Sequence, residues 1–250
     1  MLASDPAAPL VLLSPHLDDA VWACFCLLGP NTVVATAFAG IPQGEPGWWD
    51  VRCGITDSAA HVRARRAEDA AVLQSLGARP VHLPLLDGQY RTDDPRPGDL
   101  IDALSERVPA AARVVAWAGI GHPDHRIVRD AGMELHRRGM AVTIAADYCY
   151  STRHGWPTWV NPAAGRAEAD RQWRELLGDV LGDRLSAPRV VRLTDEQSAR
   201  KLAAMRGYVT QFDDIENEEP RWQDDGLPPS DPTKRGIEVF YDLDGLELPE

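Results

Sequence analysis

Short, mostly apolar runs recur at residues 10–14, 32–37, 80–83, 113–118 and 142–146, rich in Val, Leu and Ala. Runs this short, with apolar residues on both sides of the chain, predict strands buried on both faces. Longer stretches of mixed apolar and charged residues separate them, at 19–28, 60–76, 100–108 and 128–138, and predict helices. The second of these follows the capping residues Thr56, Asp57 and Ser58 and stops at Gly77. Alternating strands and helices imply βαβ units. The expected fold is therefore α/β, a Rossmann-like and mainly parallel sheet with helices on both faces.

Beyond Asp147 the pattern loosens. A loop over 151–165 carries Trp156 and Trp159, and two further helices are expected at 166–181 and 194–208. Residues 212–236 are acidic and proline-rich, with Asp213-Asp214, Asp224-Asp225, Pro220, Pro228, Pro229 and Pro232, which predicts a long surface loop. A last short strand is expected at 237–241. The chain shows no internal repeat.

With 250 residues, 44% of them hydrophobic and 26% charged, the chain suits one soluble domain over 1–250. The formal net charge of -12 argues against nucleic acid or an anionic membrane as partner, since phosphate binding needs surplus Lys and Arg. A small-molecule partner is expected. Neither a signal peptide nor a membrane-spanning run is recognisable, so the expected compartment is the cytoplasm. Cys24, Cys26, Cys53 and Cys149 lack the paired spacing of a structural zinc site and read as reduced thiols.

Two clusters carry chemistry. Pro15-His16-Leu17-Asp18-Asp19 follows the first strand, and His122-Pro123-Asp124-His125 follows the fourth. Both should open beyond the carboxyl ends of the strands, where open α/β sheets bind ligands. His16 with Asp19, and His122 with His125, are spaced i, i+3, so each pair can face one point. Spacing offers five donors, His16, Asp18, Asp19, His122 and His125, of which three would hold one zinc ion and two would remain for proton transfer. Aspartates at a helix start also act as plain caps, but two such clusters on two strand ends favour the metal. No Gly-x-Gly-x-x-Gly follows the first strand, so dinucleotide binding has little support.

Ser14 to Val21, together with His122-Pro123-Asp124-His125-Arg126, resembles the PIG-L or LmbE-like family of zinc-dependent N-deacetylases, which act on N-acetylglucosaminyl conjugates and related amides. Residues 38–42, Arg65-Arg66-Ala67-Glu68, Leu86-Asp87-Gly88, Asp147-Tyr148 and Tyr208-Val209-Thr210-Gln211 resemble further family positions, in family order. The resemblance implies His16, Asp19 and His125 as zinc ligands and Asp18 as general base. It also implies His122 as a protonated oxyanion stabiliser whose charge Asp124 sets. Arg65 and Asp87 would approach the sugar, with Glu68 supporting the arginine. Ala20 stands where many relatives have Glu, which removes no ligand but marks a subgroup.

The implied reaction is hydrolysis of an N-acetyl or other N-acyl amide on an amino-sugar conjugate, in a glycoconjugate or natural-product pathway. An amidase for a thiol-sugar conjugate and a non-catalytic carbohydrate-binding protein are the alternatives. Trp48 and Trp49 lie in a Gly- and Pro-rich segment and suit a sugar face or acyl chain. His61, His82, His136 and His154 have no partner at ligand spacing and read as structural or solvated.

Overall fold

The computed structural model describes residues 2–218 and 227–244. Five strands run parallel: β1 (Leu10–Ser14), β2 (Thr32–Thr36), β3 (Arg79–His82), β4 (Arg113–Trp117) and β5 (Val142–Ala145). Two more, β6 (Arg189–Arg192) and β7 (Ile237–Asp242), close one side with antiparallel pairing, giving the order β3-β2-β1-β4-β5-β7-β6. Every residue of β1, β2 and β4 is buried. Successive side chains point to opposite faces of a strand, so this centre is covered on both sides. The α/β sheet expected from the sequence is the one observed, with an antiparallel edge.

The helices are α1 (Asp19–Ala23), α2 (Trp48–Arg52), α3 (Ser58–Ser75), α4 (Pro97–Arg107) and α5 (Pro123–Arg137). They continue with α6 (Tyr148–Ser151), α7 (Ala167–Leu181), α8 (Asp195–Met205), α9 (Phe212–Glu218) and α10 (Pro232–Arg235). Strand order reverses between β1 and β4: the chain winds from β1 out to β3, then returns to the other side of β1. Such a switch point leaves a crevice at the strand ends. The His16 and His122 loops both open into it.

Four local expectations need correction. The helix expected over 19–28 breaks after Ala23 into a 3-10 turn, Phe25–Leu27, because Glu238 of β7 accepts the backbone N–H groups of Phe25 and Cys26, each at 2.9 Å. Helix α5 starts at Pro123, five residues earlier than expected, because His122 caps it and proline suits a first turn. The Gly- and Pro-rich segment 44–54, for which no helix was expected, contains α2, and β6 was not foreseen. The proline-rich stretch 212–236 is not all loop: α9 and α10 occupy its ends, and residues 219–226 lie outside the described set. All four cysteines are free. Among the described residues no helix is long and apolar enough to cross a membrane.

Candidate active site

The turn after β1 delivers three side chains within four residues. Asp18 caps α1 with φ 150°, and is the sole non-glycine residue at positive φ among those described. A residue held there costs ~1–3 kcal/mol and persists where its surroundings over-determine it, commonly at functional sites. His16 donates its backbone N–H to Asp19 Oδ2 at 2.9 Å, which folds the turn back on itself. The turn after β4 positions the second set. His122 accepts the Asp124 N–H on Nδ1 at 3.2 Å, so a neutral ring must carry its proton on Nε2.

The two turns meet at Asp19. Its Oδ2 lies 3.3 Å from His16 Nδ1 and 3.2 Å from His125 Nε2. Each of these imidazoles is held from behind by a buried carboxylate: His16 Nε2 lies 3.0 Å from Asp124 Oδ2, and His125 Nδ1 lies 2.5 Å from Asp147 Oδ1. Asp147 is fixed in turn by the Ile120 N–H at 3.0 Å. Ring nitrogens of His16, His122 and His125 lie within 4.8 Å of one another, so His122 is a possible donor beside Asp19. His16, Asp87 and Asp124 form a second group of the same kind, with Asp87 Oδ2 3.7 Å from His16 Nε2.

The donor set fits a metal ion. His125 Nε2 is buried and lacks a hydrogen bond, the 3.2 Å approach of Asp19 being outside hydrogen-bonding geometry. Leaving such an atom unsatisfied costs about 1–3 kcal/mol. A carboxylate behind each imidazole, with the other nitrogen aimed at a shared point, is the usual support of a metal-binding histidine. The electrostatics agree. Burial lowers the affinity of His16 for a proton, but Asp124, Asp19 and Asp87 outweigh it and raise its pKa well above the ordinary value. His125 is likewise opposed by burial, yet Asp19 and Asp147 hold it up at about 9. The site thus attracts positive charge.

Burial and the adjacent Asp19 carboxylate push the Asp18 carboxyl up to about 7, against the pull of Arg65 and His16. Arg65, on α3, brings Nη2 to 3.8 Å from Asp18 Oδ2. Burial and the neighbouring imidazoles His16 and His125 pull His122 down to about 3. Asp124 raises it but is outweighed. The Asp124 carboxylate turns away from that ring toward His16, the Gly88 N–H at 3.1 Å and Arg91 Nη2 at 2.5 Å.

Glu68 does not support Arg65, because its carboxylate accepts from the Thr210 hydroxyl at 2.7 Å and N–H at 3.2 Å. Trp48 is 67% exposed on α2, edge-on to Trp49 at 5.7 Å, and no described ring contact joins either to the imidazoles. His82 lies 2.8 Å from Asp69 and His136 3.1 Å from Asp244, so both have structural partners, while the His154 side chain lies outside the described set. Asp147 was marked in the sequence only as a family position, without a role. Two further participants escaped the sequence reading, and Arg91 had no signal there. Tyr150 packs against the His125 and His122 rings at 5.1 and 6.0 Å, in space left open because a Cβ on Gly121 would come within 2.6 Å of it.

A His and Asp donor set able to hold a metal ion thus stands at the switch point of a parallel sheet, beside a strained carboxylate. The family model described as PIG-L: GlcNAc-PI de-N-acetylase matches residues 11–136, about half of the chain. The chain belongs to this family and is an amide hydrolase of the deacetylase type. A comparison with curated proteins finds no match. Among solved structures, the A40926 pseudoaglycone deacetylase Dbv21 is similar at 25% identity and TM-score 0.66, over 94% of this chain and 96% of that one. A deacetylase triple mutant of the teicoplanin biosynthetic pathway is similar at 26% identity and TM-score 0.64, over 94% and 97%. The deacetylase-bog complex from teicoplanin biosynthesis gives 25% and 0.65 over the same shares.

Proposed function

We propose that the protein is a zinc-dependent N-deacetylase that removes an acetyl or other acyl group from a small amino-sugar glycoconjugate. Residues 1–250 are read as one domain, supported by a hydrophobic cluster running from Leu2 to Leu243. One observation carries the reading: His16 and His125, each backed by a buried aspartate, converge on Asp19 beside the strained Asp18. His16, Asp19 and His125 would hold the ion. Two neutral imidazoles and one carboxylate suit tetrahedral zinc with one open position. When bound, zinc polarises the amide carbonyl and makes water more acidic.

Asp18 is the general base. It lies next to the ligand Asp19 and its carboxyl is pushed up to about 7, close to the working pH at which a base is most effective. It takes the proton of the attacking water and returns it to the departing amine nitrogen. His122 acts as a neutral donor: its Nδ1 accepts from Asp124 N–H, which leaves Nε2–H to bond the developing oxyanion. Asp124 therefore orients His16 rather than charging His122.

Arg65 and Asp87 are the substrate contacts closest to this machinery. Trp48 and Trp49 are read as the apolar contact for the rest of the conjugate. The teicoplanin-pathway deacetylase and the A40926 pseudoaglycone deacetylase, similar over most of the chain, support an aglycone-bearing amino sugar as substrate. Metal analysis combined with acid release from a panel of N-acyl-glucosaminides and N-acyl thiol-sugar conjugates tests the whole reading. Zinc near one equivalent and turnover of the glucosaminides are expected. A metal-free protein unchanged by added zinc, or turnover confined to thiol conjugates, would overturn it.

A further inference from the structure

Arg91 belongs to no motif, yet it is the most connected cation near the site. Its side chain is 9% exposed. Nη1 donates to the Leu86 carbonyl at 2.7 Å, Nε and Nη2 donate to Asp94 Oδ1 at 3.2 and 2.9 Å, and Nη2 also reaches Asp124 Oδ1 at 2.5 Å. The guanidinium lies over the Phe38 ring at 4.8 Å, and Phe38 in turn flanks the His16 ring at 6.0 Å. Arg91 thus approaches His16 by two routes, through a carboxylate and across an aromatic face.

The division of labour on Asp124 matters. Arg91 takes Oδ1, so Oδ2 is left to His16 Nε2 and the Gly88 N–H. A carboxylate free to rotate would share its oxygens among these partners and let the imidazole turn. Held at Oδ1 by one N–H of a guanidinium whose other donors are fixed on Asp94 and the Leu86 carbonyl, it presents Oδ2 to the ring nitrogen. The opposite nitrogen, Nδ1, is thereby held beside Asp19 Oδ2.

The loop carrying Arg91 is itself pinned. The Tyr90 hydroxyl donates to the buried Asp50 Oδ2 at 2.6 Å, and the Asp50 N–H donates to Gln89 Oε1 at 3.2 Å. Asp50 sits on α2, next to Trp48 and Trp49. The helix carrying the two tryptophans is thus joined, through Tyr90 and Arg91, to the carboxylate behind His16.

We infer that Arg91 is a positioning residue for the metal site: by fixing Asp124 it fixes the His16 imidazole in the orientation that binds the ion. The inference rests on the metal reading above and goes beyond it, because it assigns a role to a residue outside both histidine motifs. It requires that the Asp124 route carry the effect on the metal, the Phe38 face serving only to seat the guanidinium.

A double-mutant cycle tests it, with zinc affinity measured by competition against a chromophoric chelator for wild type, Arg91→Met, Asp124→Asn and the double variant. Each single change should weaken zinc binding by ~10–100-fold, the usual loss when the partner behind a metal-binding histidine is removed. The double variant should be no weaker than the worse single one. Arg91→Lys keeps the charge and guards against misfolding, and it should fall between wild type and Arg91→Met. Cobalt-loaded Arg91→Met should show a shifted visible spectrum, which a purely structural role would leave unmoved. Arg96→Met, at an exposed ion pair with Asp99, should match wild type. Wild-type affinity in Arg91→Met, or multiplicative losses in the double variant, would overturn the inference while leaving the metal reading intact. Wild type that binds no zinc would overturn both.

Discussion

Two of the places where this molecule buries charge do so in opposite ways. Lys201 of α8 and Glu238 of β7 are both 0% exposed and meet at 2.7 Å. Glu238 also accepts from Phe25 and Cys26, and Lys201 lies over the Tyr148 ring at 4.7 Å, so the pair is closed on all sides. At the switch point five carboxylates, Asp18, Asp19, Asp87, Asp124 and Asp147, surround three imidazoles, one buried ring nitrogen lacks a hydrogen bond, and Asp18 is strained. The closed pair is a structural joint. The open cluster keeps unsatisfied capacity, and that capacity, rather than buried charge as such, distinguishes a site from a seam.

The sharpest break between the two regions should come from the metal donors. His125→Ala should abolish zinc binding and deacetylation together, with a melting temperature near that of metal-free wild type. Retained zinc would move the ligand role to His122. Asp18→Asn should keep zinc but lower turnover by ~10²–10⁴-fold, the contribution of a positioned base. Undiminished turnover would pass that role to another group.

The structural joint should respond in the other currency. Lys201→Met leaves the Glu238 carboxylate buried without its cation and should cost about 3–5 kcal/mol of stability, read from chemical denaturation. Once folded, this variant should bind zinc as wild type does. Equal zinc losses here and in His125→Ala would erase the contrast between seam and site.

His122 sharpens the comparison within the site. His122→Ala should lose ~10²–10³-fold in turnover with zinc retained, as for removal of one oxyanion donor. His122→Asn, a neutral donor, should recover part of that loss; no recovery would restore the need for a cation. The smallest effect is expected at the rim. Trp48→Ala should raise KM by ~several-fold with turnover and melting temperature unchanged, the scale of one aromatic contact.

Strand and helix periodicity placed the parallel sheet and most of its helices, because burial on two faces writes itself into local runs of Val, Leu and Ala. The two histidine clusters were legible for a related reason. Residues three apart on one turn are neighbours whatever the rest of the chain does, so His16 with Asp19 and His122 with His125 could be paired before any fold was known. The first helix was misjudged because Glu238, more than two hundred residues away, caps its broken end. The Gly- and Pro-rich segment 44–54 and the proline-rich stretch 212–236 hid short helices for a similar reason: tertiary packing, not propensity, stabilises helices of this length.

What the sequence determined alone was therefore the layer order and the kind of chemistry, both set by local spacing and residue type. Only the tertiary structure decided which carboxylate serves which imidazole. Asp124 stands two residues from His122 in the chain, yet its side chain holds His16 across the crevice. Asp147 reaches His125 from the next strand. Arg91, unmarked by any pattern, arrives from a loop that parallel winding carries over the strand ends. Charge is satisfied through space, at hydrogen-bond distances, and strand order rather than sequence distance sets which groups come that close.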